Sequence, residues 1–521
     1  MKKQANILYI LCISAICITS APSCNVLDLE QLSSIPYDEA FGTYQRCELS
    51  TLGCYAYAQG EYRGFPFGSR STAINDIRGE DVMSSTYMGS SYEATFTTSS
   101  GDLSNHWSYL FRLVNQTNIV VDGVQNACDE GIISQEEADA FAAEARFLRA
   151  LALHEAVVLY ARPYDYTADH SHYGVPVVTV PCNTIEAVNE AMKSGRATVA
   201  ETYEQILDDL TFAEEHLPET GSISRATKGA AIAIKSRVYM HMGDWNNVIA
   251  ECRKMVDQAS PSSPSLIGGF RLTESCDGPF LSNFENTESI FSIENSSADN
   301  PTLDGALSQL YYGRKDIAVS PIIYNAEFWD PADLRRSLLL ELVDGRYFTK
   351  KYPRDVDMDD WAPMIRWAEV LLNYAEAEAR VNGNTPLALE LLNLVRNRAV
   401  TDPAGQYTAA SFPSVEELIN AILQERRIEF LAEGRRWYDI HRLSTDPVYC
   451  VRISTGEAGI PAKLALSSVT EEDYQAASGT VRAELYTVPE IPASDRRFIY
   501  PIPQNEINAN PTLADQQNEG W

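Results

Sequence analysis

The chain has 521 residues, 45% of them hydrophobic and 22% charged, and a net charge of -31. That balance describes a globular chain with ample core. So negative a surface repels nucleic acid and anionic lipid, which excludes both as partners. At about 150 residues per domain the length suggests three or four domains, a rule that helical repeats break.

Met1-Lys2-Lys3 and the apolar run from Ile7 to Ile18 form a secretory signal. The run is too short to span a bilayer, which takes about 20 residues. It ends at Ala21-Pro22-Ser23-Cys24, which resembles a bacterial lipobox with Ala21 where leucine is usual. The reading is a signal over 1–23, a lipid on Cys24 and one folded region over 24–521, with plain secretion as the alternative. Cys12 and Cys17 leave with the signal, so seven of the ten cysteines remain beside Cys24. Cys47 and Cys54 are about 10 Å apart along a helix, too far for a disulfide. No CxxC occurs, and most of the seven read as small buried hydrophobes.

Taken in order, 25–34 is a tether and 37–58 a helix. Residues 59–100 form a long loop block whose aromatic density argues against disorder. Helices follow over 103–124, 134–160 and 199–217, the second with an alanine-rich face that permits close packing. Residues 226–259 read as helix, Gly243-Asp244-Trp245 turn, helix. Residues 365–399 repeat the arrangement around Asn382-Gly383-Asn384, with Thr385 as N-cap and Pro386 at the first helical position. Both units share the roughly 34-residue period of tetratricopeptide hairpins, which must stack to bury both faces. The fold class is therefore mostly α: helical repeats within 37–259 and 363–443, interrupted by irregular blocks at 59–100, 260–363 and 444–494.

Residues 415–443 organise the rest. Val415, Leu418, Ile419, Ile422, Leu423, Arg426 and Phe430 lie on one helical stripe, opened by a Ser414/Glu417 capping box. An arginine in an apolar stripe needs a carboxylate; Glu425, Glu429, Glu433 and Asp439 are the nearby candidates. The run ERRIE…EGRRWYD resembles the signature of the SusD/RagB family of outer-membrane nutrient-binding lipoproteins. Glu144, Arg146 and Arg149 resemble that family's ExRFLRA segment, and 498–521 its closing YPIPxxExxxNPxL segment, with Glu519 in place of a usual proline.

The sequence holds no HExxH, GxSxG, GxxxxGK or GxGxxG, and no cofactor or metal is expected. His170 and His172 share a loop without further ligands at metal spacing. Asp355, Asp357, Asp359 and Asp360 imitate a calcium loop, but Asp360 stands where the EF-hand requires glycine and Arg366 where it requires glutamate. Two carboxylates at a suitable separation suffice for glycoside hydrolysis, so a helical toroid glycosidase stays open. So does a repeat-based adaptor that binds only proteins.

The resemblance implies a non-enzymatic, SusD-like lipoprotein of the outer membrane, lipid-anchored and outward facing. It would capture oligosaccharide and deliver it to a TonB-dependent SusC-like barrel, with the helical scaffold toward the barrel and the irregular blocks toward the ligand. Sugar binding needs aromatic faces and planar hydrogen-bonding groups. The expected carriers are Arg78, Asp81, Tyr87 and Tyr92 in the first block and Tyr311, Tyr312 and Trp329 in the second. Trp107, Tyr239, Trp367 and Trp437 lie on helices and read as core.

Overall fold

The computed structural model describes residues 39–60, 63–282 and 286–521. The signal segment and Cys24 lie outside the described residues. Helix α1 (Tyr44–Gln59) starts where the Thr43 hydroxyl accepts from the Arg46 amide at 3.2 Å. The stretch expected to be loop then departs from expectation. It contains α2 (Arg70–Ile77), whose eight residues are all buried, and β1 (Val82–Ser84). Neither has a helical or alternating apolar pattern, because both are enclosed on every side rather than on one face.

The helical scaffold follows the sequence closely. Helix α3 spans Gly101–Asp129 and α4 spans Gln135–Tyr160, opened by a complete Ser134/Glu137 capping box. Helix α5 (Val199–His216) carries a second box from Thr198 and Glu201. The first hairpin is α6 (Lys228–His241) and α7 (Trp245–Met255). Gly243 takes φ +67 at its turn, where a side chain would be strained, and Asp244 caps α7. In the second irregular block β2 (Ser289–Ile293), β3 (Ile317–Val319), β4 (Leu340–Val343), β5 (Arg346–Thr349) and β6 (Ala362–Arg366) make short antiparallel pairs. Strand β1 pairs with β3, β2 with β6, and β4 with β5.

The second hairpin is α8 (Trp367–Asn382) and α9 (Pro386–Arg396), with Gly383 at φ +83 and the Thr385 cap and Pro386 where the sequence put them. Helices α10 (Val415–Glu429) and α11 (Arg436–Leu443) complete the scaffold. Each helix packs on the next from α3 through α8, and α8 then packs on both α9 and α10. The alanines of α4, among them Ala145, Ala150, Ala152 and Ala156, are buried and let α3 and α5 approach it closely. Trp107, Trp367 and Trp437 are buried as expected; Tyr239 is only partly buried. Each large apolar side chain so enclosed contributes about 1.5–3 kcal/mol. The irregular blocks are held on this scaffold by ion pairs and strand pairing, which decides what faces solvent.

Candidate functional site

The signature helix α10 is the clamp. Arg426 finds its carboxylate in Asp439 at 3.1 Å and donates to the Asn373 carboxamide at 2.7 Å. The other glutamates serve different cations. Glu425 accepts from Arg335 at 2.6 Å, and Glu429 accepts from Arg335 at 2.8 Å and Arg366 at 2.6 Å. Glu433 accepts from Arg366 at 2.8 Å and from Lys351 at 2.5 Å. Arg335 and Lys351 belong to the second irregular block and Arg366 ends β6 just after it, so this buried network ties that block to the helices. The surrounding guanidiniums hold the Glu429 and Glu433 carboxyls below the usual range against the opposing effect of burial.

The same clamp corrects several expected ligand residues. Asp81 is buried; Arg427 donates to it with both Nε, at 3.1 Å, and Nη2. Arg78 is buried between the rings of Trp437 at 4.3 Å and Tyr500 at 4.7 Å, and donates to the Phe498 carbonyl. With no carboxylate beside it, burial pulls its pKa down. Tyr92 is buried and donates to the Leu464 carbonyl at 2.7 Å. Tyr311 is buried and donates to Asp76, whose carboxyl burial raises to about 7. Trp329 is 1% exposed, with the Arg336 guanidinium 4.2 Å from its ring. These five residues hold the fold and are closed to a ligand in this structure. They were expected outside because irregular backbone usually lies at the surface; here distant charged and carbonyl groups satisfy it inside.

Tyr87 and Tyr312 remain partly exposed, and they sit on adjoining segments. Strand β1 ends as the Ser85 amide donates to the Asp316 carbonyl at 2.7 Å and its hydroxyl to the Asp316 carboxylate at 2.8 Å. The short turn Thr86–Met88 follows and carries Tyr87. The Tyr87 hydroxyl donates to the Asp304 carbonyl and accepts from Arg70, both at 2.7 Å. The Arg314 guanidinium lies 4.3 Å from its ring centre. Arg314 is itself oriented by Asp304 at 2.7 Å and Asp316 at 3.0 Å. Tyr312 closes the Gln309–Gly313 turn, and the Lys315 ammonium is 5.9 Å from its ring centre. Its phenol is hydrogen-bonded to Glu341, which raises its pKa. Lys315 takes φ +60, a left-handed conformation costing about 1–2 kcal/mol, as the chain turns back into β3.

Two partly exposed tyrosines, each beside a cation, thus sit on segments held together by the Ser85–Asp316 hydrogen bonds and form the candidate patch, with Leu303 more than half exposed next to Asp304. Ring faces and edges suit the C–H surface of a sugar, and guanidinium and ammonium groups donate to its hydroxyls. Arg314 and Lys315 were missed in the sequence, although Tyr311-Tyr312-Gly313-Arg314-Lys315 places them directly beside the named tyrosines.

Two family models match the chain. One, described as the SusD family, covers residues 344–521, and another, described as starch-binding associating with outer membrane, covers 36–240. Together they span well over half of the sequence and include the signature helix and both ends of the scaffold. The chain belongs to the SusD/RagB family. A SusD-like protein of Formosa agariphila is 25% identical over 394 residues, covering 67% of this chain and 73% of that protein. A SusD-like protein of Bacteroides ovatus is 23% identical over 395 residues, 65% of each chain. A SusD superfamily crystal structure from Bacteroides fragilis superposes with TM-score 0.74 at 24% identity, over 91% of this chain and 99% of that one. A structure titled laminarin binding SusD-like protein gives TM-score 0.65 at 19% identity, over 92% of this chain and 100% of that one. The helical SusD-like architecture expected from the sequence is thereby established.

Proposed function

We propose that this SusD/RagB protein captures glycan at the cell surface and passes it to a TonB-dependent SusC-like barrel without breaking a bond. The observation that carries the reading is the Tyr87–Tyr312 patch, two surface tyrosines each beside a cation on the irregular face of a SusD-family fold. The laminarin-binding relative supports a carbohydrate and makes laminarin the first probe. Cys24, at the end of the signal, would carry the lipid that holds the protein to the outer membrane. The repeat hairpins α6–α7 and α8–α9 would face the barrel and the irregular blocks the ligand. Capture then raises glycan concentration at the pore, and closure over the barrel delivers it.

The test is affinity electrophoresis on starch, laminarin, mannan, arabinoxylan and inulin, with reducing sugar measured in parallel. The expected result is retardation by at least one polysaccharide and no release of reducing ends. Retardation by none contradicts glycan binding. Release of reducing ends makes the protein a glycosidase instead.

A further inference from the structure

A groove of about 760 Å³ runs along α3 and shares no lining residue with the Tyr87–Tyr312 patch. Its size falls within the roughly 300–1,000 Å³ typical of ligand sites. One turn of α3 after another lines it, with Phe111, Arg112, Asn115 and Gln116, and Tyr57 from the end of α1 overhangs it. Asn505 and Glu506 also line it.

Both walls are fixed. On one side Asn118 donates to the carbonyls of Val178 at 2.9 Å and Val180 at 3.1 Å, and the Asn115 side-chain oxygen Oδ1 accepts from the Cys182 amide at 2.7 Å. On the other, Ser104 donates to Asn505 at 2.7 Å and Thr98 to Gln504 at 3.0 Å. A groove held open by its own framework loses little entropy when it is filled.

Its polar ends are uncommitted in a protein that pairs most of its buried charge. Among the described residues, the Tyr57 hydroxyl and the Gln116 carboxamide have no hydrogen-bond partner, and Arg112 makes no ion pair. Tyr57 is 45% exposed and Phe111 partly buried, so two aromatic rings border these groups. The one arginine and one glutamate offset each other. Aromatic surface, a free carboxamide and little net charge suit an uncharged, hydroxyl-rich chain.

A run of contacts joins the groove to the patch. Arg112 lies 4.9 Å from the Tyr109 ring centre, and Tyr109 stacks on Phe65 at 5.9 Å. Arg70 lies 5.3 Å from Phe65 and 5.1 Å from Tyr87. The α3 groove and the Tyr87 patch are therefore built on one continuous stack of rings and guanidiniums.

We propose that the α3 groove is a second carbohydrate site, engaged by the same glycan chain that meets Tyr87 and Tyr312. The inference rests on the glycan-binding reading and adds that the protein selects long chains over short ones.

The experiment uses the full-length protein and whichever of the five polysaccharides retards it most, with the trisaccharide of the same linkage. Two double variants are compared with wild type by calorimetry: Tyr57→Ala with Gln116→Ala, and Tyr87→Ala with Tyr312→Ala. The groove variant should weaken the polysaccharide about tenfold, the loss expected from one aromatic contact, and leave the trisaccharide unchanged. The patch variant should weaken both ligands. Wild-type polysaccharide affinity in the groove variant, at unchanged melting temperature, overturns the groove and spares the patch. Loss of a co-purifying barrel by the groove variant, with glycan binding intact, assigns the groove to the transporter and also overturns the proposal. Retardation by no polysaccharide overturns both readings together.

Discussion

Arg427 grips Asp81 across 346 residues of sequence, Nε to one carboxylate oxygen at 3.1 Å and Nη2 to the other. Glu80 joins them, accepting from Arg427 at 3.0 Å, and Arg436 at the start of α11 accompanies both carboxylates. The signature run therefore acts by reaching out of its own helix. It fixes the strand that leads into the Tyr87 turn.

Arg427→Ala leaves Asp81 and Glu80 buried with Arg436 alone. Breaking a buried pair this way costs about 3–5 kcal/mol, with the remaining arginine pulling the value toward the lower end. Urea denaturation should show that loss. Because β1 is anchored by the pair, glycan affinity should weaken as well; an Arg427→Ala protein of wild-type stability removes the clamp from the account.

Trp329→Ala separates burial from binding. Its ring is enclosed by Arg336 and Tyr324, and truncating a buried tryptophan costs about 3–5 kcal/mol. The melting temperature should fall, while the folded fraction should keep wild-type glycan affinity. Weakened affinity at unchanged stability would return Trp329 to the ligand face.

The expected residues divide along a physical line. Local order was legible: both hairpins, the Thr385 cap, the Ser134 and Ser414 starts and the pairing of Arg426 follow from helical period and capping. What 59–100 and 260–363 do was not. Ile77, Arg78 and Tyr92 show no period because they are enclosed by segments hundreds of residues away, and such enclosure leaves no local pattern. Tyr87 and Tyr312 stayed at the surface, but nothing in their own neighbourhoods separates them from Tyr92 and Tyr311.

Acid should destabilise the fold through buried histidines. His154 on α4 packs against His241 and Tyr438, with Arg237 nearby, and burial lowers its pKa to about 3; His441 is likewise lowered to about 3. Between about 3 and 6.5 the unfolded chain binds a proton at each that the folded protein refuses, so stability is full above 6.5 and falls as pH drops. Glu80 and Glu155, lowered to about 2, act in the same direction below 4.5. Asp76, raised to about 7, opposes them: its folded form keeps a proton that the unfolded chain releases above 3.8. His154→Leu removes one histidine, so wild type should lose stability relative to it by about 1.4 kcal/mol per pH unit below 6.5. Parallel pH profiles for the two proteins would contradict a neutral, buried His154.

Anchoring and partnership are tested together in the native membrane. Cys24→Ala should move the protein from the detergent phase to the aqueous phase, and wild type should co-purify with a large β-barrel near one-to-one. A variant that partitions like wild type contradicts the lipid at Cys24. Isolation of wild type alone in mild detergent, with its barrel expressed, contradicts the partnership.

The most direct test is calorimetric titration of wild type and of Tyr87→Ala with Tyr312→Ala against the retarding polysaccharide. Stacking on one ring is worth about 1–2 kcal/mol, so loss of both should weaken binding about 30-fold or more. Helix content should not change, because both side chains are partly exposed and neither lies in the scaffold. Equal affinity in the two proteins would contradict glycan capture at the Tyr87–Tyr312 patch.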